Sequence, residues 1–600
     1  MSTMSSSAGD FFEAMQSTKT REDMSLLERF VNSPVPLTNI QDHEEQNVDG
    51  TLSDCIRYLS GEEVEAMIKS VARTGYKDEL KIDEDGKPLL RRTTSIHLAA
   101  KSKFPNRYNI IGELFKIFDK FDVNYTDESG LTHFHVACSA GCDEVVTKFL
   151  ELGQDPNLLV RKTGDSPLHL AVKNEHEMVA LMLLKHGADP NLVNGSSHTP
   201  LHVIGNDDLL KLVLKIGSDD KHRKVQIDAR DKFGYTPLNL AVRYSRRDLA
   251  ETLLRHGANA NSVNVDDSTP LHIIALRKKD DDLAEEFLRI CDDVKQTVQV
   301  DARNTRGATP LHIALRYGNK ITAAALLRRG ADPNVTCPEG WTPLHFIASH
   351  PVDDGLVESF FKTNEDLQQK VKVDVANDLG STPLHFALRH GNKIAAEALL
   401  RRGANPNAVN ANGWRPLHFI AMQHNVDDDM VKKFFEIVDE QQQQVLIDAQ
   451  DKWGQTALRD AVASLSSGVV DVLLNRGADL SKFVFPTEIS FGKTFKRSHG
   501  EQCYDFKCRL GFQALAVVRS LKSRGYQLSS RDALTVMKFF IKHGLFEESA
   551  NTDEYCDYDE TRLFNDKQKE LMISPNLSLY NLTQLGIAEM AKRFTDALCA

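Results

Sequence analysis

The sequence predicts an all-α fold: a solenoid of helix pairs with β-hairpin loops, followed by a small helical C-terminal domain. Two observations carry this. A block of the form Thr-Pro-Leu-His-x-Ala recurs eleven times between Thr94 and Thr456. One such unit is too small to bury its own apolar face, so the copies must stack. The spacing is also patterned. From Ser166 onward the blocks are 33, 37, 33, 40, 33, 40, 33 and 41 residues apart. Short and long copies alternate, so the duplicated unit is a pair of about 73 residues, as 236 to 309 and 309 to 382 show.

The chain of 600 residues begins with an acidic flank, since residues 1–90 hold 9 Lys/Arg against 18 Asp/Glu. Residues 1–50 are polar with little periodicity, and a disordered leader is expected there. Residues 51–90 contain the amphipathic runs CIRYL and EEVEAMIKSVA. They are expected to form a helical cap, because a solenoid needs a polar-faced end unit.

The array itself is expected over 91–483. Its blocks start at Thr94, Thr132, Ser166, Thr199, Thr236, Thr269, Thr309, Thr342, Thr382, Arg415 and Thr456. Thr-Pro opens a helix, the hydroxyl capping it and the proline sitting where its missing N–H is not needed. Leu and Ala then pack on a second helix, whose paired leucines (Leu253-Leu254, Leu326-Leu327, Leu399-Leu400) close the unit. Gly257, Gly330 and Gly403 follow at the position where a left-handed residue ends a helix. The extra residues of the long copies follow the second helix, and their recurring V-x-V-D-A arm is expected to extend a strand of the hairpin.

These blocks, with tails such as HGADPN at 186–191 and RGANPN at 402–407, strongly resemble ankyrin repeats. The resemblance implies protein recognition and places Arg243, Arg316 and Arg389 on a concave groove. There they would form a ladder for an acidic or phosphorylated partner. Phe233, Trp341, Trp414 and Trp453 fall in the hairpins, where projecting aromatics serve as partner-binding hot spots. Nine of the 21 histidines occupy the fourth position of the block. Adjacent copies stand roughly 8–10 Å apart, by helix-packing distance, too far to share a metal ion. A histidine hydrogen-bonded between neighbouring turns is expected instead.

After Leu480 the repeat stops. Residues 482–542 carry 12 Lys/Arg against 4 Asp/Glu, an acidic run follows at 547–560, and the chain ends LMISPNLSLYNLTQLGIAEMAKRF before its last residues. This region, 484–600, resembles the PRANC module of ankyrin proteins in poxviruses, parasitoid wasps and their intracellular bacteria. That module is similar to the F-box. The resemblance rests on the acidic lead-in and on Pro575, Leu577, Leu579, Leu582 and Leu585. It implies docking of those residues on a Skp-type adaptor and, through it, a cullin ubiquitin ligase.

Other classes of function are disfavoured. No run approaches the roughly eighteen apolar residues of a membrane span, and the N-terminus lacks the pattern of a secretory signal. The net charge of −12 offers no basic face for nucleic acid. The 9 cysteines include no CxxC pair, so reduced thiols in cytoplasm or nucleus are expected, without zinc. Gly492-Lys493-Thr494 lacks the upstream glycine of a phosphate loop. Expected, then, is a protein-binding protein with no catalysis, metal or cofactor, acting as a ubiquitin-ligase substrate receptor. The alternative is a scaffold or inhibitor of NF-kappa-B-type signalling.

Overall fold

A computed structural model describes residues 52–217, 223–351, 355–423, 429–493, 503–545 and 572–599, save 54, 58, 74, 80, 81, 83–87, 575, 579, 580, 583, 584 and 586. The expected leader, the acidic run at 547–560, Pro575 and Leu579 lie outside the described residues. The chain divides into two compact units, Met1–Pro270 with Phe287–Val298, and Leu271–Glu286 with Gln299–Ala600.

All eleven blocks open a short helix, from Ser95–Lys101 in repeat one to Ala457–Ala463 in repeat eleven, and each is followed by a second helix. The opening is built from the block's own side chains. In repeat three, for example, the Ser166 hydroxyl accepts the His169 N–H, while the Ser166 N–H donates to His169 Nδ1 at 3.2 Å. This reciprocal box satisfies two orphan donors of the helix start, and Pro167 needs none. Leu311, Ala314, Leu315, Leu326 and Leu327 of repeat seven are all buried, as the spacing requires. Gly330 has φ +87, and nothing lies within 4 Å of where its Cβ would stand. Its backbone conformation, not lack of space, selects glycine there.

The extra residues of the long copies are spread over the link between the two helices, the second helix, which takes two or three of them, and the stretch after it. In repeats five, seven and nine the second helices are nine residues long: Arg247–Arg255, Lys320–Arg328 and Lys393–Arg401. In repeats six, eight and ten they reach eleven or twelve: Leu283–Asp293, Leu356–Asp366 and Asp429–Glu440. The V-x-V-D-A arm that follows forms no strand among the described residues, which corrects the expected hairpin extension. Side chains of neighbouring repeats take its hydrogen bonds instead. The Asn334 carboxamide donates to Lys370 O at 2.8 Å and accepts the Lys372 N–H at 2.7 Å, and the Asp374 carboxylate accepts the Asn405 N–H at 3.0 Å. The same clasp recurs with Asn407 on Gln444 and Leu446 and with Asp448 on Asp479. These bonds take a carbonyl and an N–H of each arm, at Lys370 and Lys372 and at Gln444 and Leu446.

At the front, helix Gly61–Arg73 buries Val64, Ile68 and Val71 and packs on Arg107–Leu114 of repeat one. Behind the array, helix Cys503–Ser523 packs on Ser467–Asn475 of repeat eleven, where Ser467 Oγ donates to Gln513 Oε1 at 2.7 Å. Helices Ser530–Lys542 and Ile587–Cys599 close the tail core, with the Phe540 and Phe594 rings 5.4 Å apart. The tail is not wholly helical: Met572–Ser574 and Leu577–Ser578 pair as a short antiparallel hairpin. The Ser-Pro-Asn run between them is a turn-forming sequence that opposes a helix.

Candidate functional site

The block histidines are structural on both ring nitrogens. In repeat seven, His312 Nδ1 accepts the Thr309 N–H at 3.1 Å, so Nε2 carries the hydrogen and donates to Val335 O at 3.0 Å. His345 repeats this between Thr342 and Ser381 O. Burial holds His97, His135, His312, His345 and His385 at about 4, well below the ordinary imidazole value. A neutral ring with both nitrogens engaged keeps the hairpin of the next unit in place. The cysteines Cys138, Cys142, Cys337 and Cys599 are free thiols.

The hairpin aromatics are aimed by a residue that the sequence reading passed over, an Asn or Asp five positions before the block. Asp231 Oδ1 accepts the N–H groups of Phe233 and Tyr235, both at 2.8 Å. Asn410 Oδ1 does the same for Asn412 and Trp414, and Asp451 Oδ1 for Trp453 and Gln455. These side chains mimic a backbone turn. Their fixed offset was visible in the sequence, at Asp127, Asn194, Asp231, Asn264, Asn304, Asn377, Asn410 and Asp451.

Phe233 is 53% exposed, with the Lys232 ammonium 5.0 Å from its ring centre. Trp453 is 60% exposed. Trp414 is half-buried; its Nε1 donates to Asp451 Oδ2 at 3.1 Å and its ring stands 5.8 Å from that of Trp453. The two tryptophans thus form one patch. Trp341 is half-buried too, 4.5 Å from the Phe386 ring and 5.2 Å from that of Phe346.

Arg243, Arg316 and Arg389 are exposed at the ends of the first helices of repeats five, seven and nine. None makes an ion pair among the described residues. Arg243 lies over the Tyr235 ring at 5.3 Å, whereas Arg316 lines a cavity with Trp341. Arg243 and Phe233 belong to the first unit, and the other five of these residues to the second. In the tail, Leu582 is fully buried, while Leu577 and Leu585 are half-buried. No described helix is long and apolar enough to cross a membrane.

Against known proteins, the family model for ankyrin repeats in three copies matches residues 96–194, 183–264, 256–337, 322–410 and 395–483. The human transient receptor potential cation channel subfamily A member 1 is 27% identical over 340 residues, 54% of this chain and 29% of that protein. The chicken nuclear factor NF-kappa-B p105 subunit is 28% identical over 286 residues, 46% of this chain and 28% of that protein. The chain therefore spans less than a third of the length of these relatives. The crystal structure of the ankyrin repeat domain of Bcl-3 aligns with a TM-score of 0.32 at 22% identity, over 46% of this chain and 99% of that one.

Proposed function

The chain belongs to the ankyrin-repeat family, and from that premise we propose that it is a non-catalytic protein-recognition molecule of cytoplasm or nucleus whose repeats hold a protein target. The observation that carries this reading is the set of exposed aromatics and unpaired arginines borne on hydrogen-bonded hairpins and short helices. Rigid aromatic and arginine side chains are the residue types that dominate binding energies at protein interfaces. Affinity purification of the full chain after mild cross-linking tests it: a stoichiometric protein partner is expected. Combining R243E, R316E and R389E should release that partner. A wild-type chain that captures no protein under these conditions overturns the reading.

A finer reading concerns the tail. The resemblance to PRANC and F-box modules supports recruitment of a Skp-type adaptor and cullin, with the half-buried Leu577 and Leu585 as the docking residues and the repeats as substrate receptor. Buried Leu582 serves the tail's own packing in that scheme. Deleting residues 571–600 would also remove the core residues Phe594 and Leu598, so the sharper variant is L577E with L585E. Loss of adaptor and cullin from pulldowns of that variant supports the reading, and their absence from the wild-type pulldown ends it. The scaffold or inhibitor of NF-kappa-B-type signalling is the alternative. It is supported by the resemblance to the p105 subunit and predicts a partner retained when the tail is altered.

A further inference from the structure

The hairpin of repeat eight departs from its neighbours at the residue that aims the aromatic. Cys337 stands five positions before the block, where the other hairpins of the second unit carry Asn or Asp. Without that side-chain clasp, Pro338–Gly340 winds into a single 3-10 turn, with Glu339 at φ 75 and Gly340 at φ 74. Two backbone bonds close it: Cys337 N–H donates to Trp341 O at 2.9 Å, and Gly340 N–H to Cys337 O at 3.1 Å. Trp341, which follows this turn, lies against Phe346 of its own repeat and Phe386 of the next.

A cavity of about 630 Å³ opens beside this ring, with Arg306, Arg316, Trp341, Phe346, His350 and His390 among its lining. Its lining joins the Trp341 and Phe346 rings to the two arginines. Arg306 and Arg316 are exposed and make no ion pair among the described residues. Glu339, itself exposed, is the single carboxylate in the lining. His350 is occupied by a hydrogen bond between its Nε2 and Leu315 O at 2.8 Å. Burial and the neighbouring Arg389 hold His390 below its ordinary value, so the two arginines supply the positive charge at neutral pH.

We infer that this cleft of repeats seven and eight recognises an acidic peptide segment carrying one large apolar side chain. The apolar residue packs on Trp341 and Phe346, and a flanking carboxylate pairs with Arg306 and Arg316. Both arginines line the cavity and are exposed to solvent, an arrangement suited to a peptide laid across the surface. Bidentate pairing with carboxylate is the geometry a guanidinium favours. This inference rests on the protein-binding reading above and assigns it a partner chemistry.

The test selects phage-displayed random twelve-residue peptides on the immobilised full chain. Each selected peptide is then measured on the R306E/R316E variant, whose two changes are at exposed positions. Expected are sequences that join Asp or Glu to Trp, Phe or Leu, bind the variant at least tenfold more weakly, and change Trp341 fluorescence in a W414F/W453F background. Selected peptides that bind wild type and variant equally overturn the inference, as does a selection that enriches none. A cellular partner still captured by R306E/R316E would remove the cleft and leave the protein-binding reading standing. Failure of the wild-type chain to capture any protein would remove both.

Discussion

At the scale of single residues, the block histidine shows how far a periodic sequence can be read. Nine copies at one position, too widely spaced for a shared metal, left hydrogen bonding as the remaining use of a buried imidazole, and His312 makes both bonds. Replacing His312 with Ala would leave the Thr309 N–H and the Val335 carbonyl without partners, at about 1–3 kcal/mol for each buried group. Repeat five already carries the milder substitution. Asn239 Oδ1 accepts the Thr236 N–H at 3.0 Å, but its Nδ2 reaches Ser262 O only at 3.5 Å. H312N should therefore lose less stability than H312A in urea titrations, and equal losses would show that the cap contributes nothing. Asp460 was not legible in this way, because burial of a helical aspartate depends on what packs over it. Its carboxyl is pushed up to about 7 by burial and by Asp451, and one of its oxygens has no partner. An acid whose folded pKa is raised loses stability as pH rises through that value. The penalty builds from the unfolded value of 3.8 up to about 7, so D460N should raise the melting temperature more at pH 8.5 than at pH 5. A shift of equal size at both would refute the assignment.

Among the elements, helix starts were readable because Thr-Pro and His are the capping machinery itself, whereas the arm was misread because V-x-V-D-A has the alternation of a strand. What overrode propensity was the tertiary environment: Asn334 and Asn407 of the neighbouring repeats bond to main-chain groups of the arms. The clasp can be tested alone. N334A removes two hydrogen bonds to residues 370 and 372, each worth about 0.5–1.5 kcal/mol at most for an exposed pair. Amide exchange should accelerate at Lys372, whose N–H loses its acceptor, while the helix Lys320–Arg328 exchanges as before. Acceleration across the whole of repeat seven would mean that the arm supports the repeat rather than decorating it. The Trp341 cleft escaped the sequence for a related reason. Trp341 and Trp414 precede their blocks identically and pack on Phe346 and Phe419 of their own helices, but the following repeat offers Phe386 to the first ring and the Asp451 carboxylate to the second.

For the molecule as a whole, the recurrence of one buried neutral histidine makes stability a function of acid. Unfolding releases each ring to the ordinary imidazole value near 6.5, while the folded chain holds five of them at about 4 and lowers His169, His202, His272 and His418 as well. The unfolded state thus binds more protons between those limits, and the histidine contribution is complete above pH 6.5 and disappears as pH falls through 4. Each such ring adds a slope of about 1.4 kcal/mol per pH unit inside that window. Copies add because each lies in its own repeat with its own acceptor carbonyl, so a modest effect per residue becomes a steep one per unit. Far-ultraviolet circular dichroism followed from pH 7.5 to 3.5 should show a cooperative loss of helix beginning below pH 6. Substituting His312, His345 and His385 together with Asn should flatten the curve of the second unit, at the expense of lower stability at pH 7.5. A helix signal unchanged down to pH 4, or a triple variant with the wild-type slope, would mean that these rings accept protons without unfolding, and the buried capping role assigned to them would have to be abandoned.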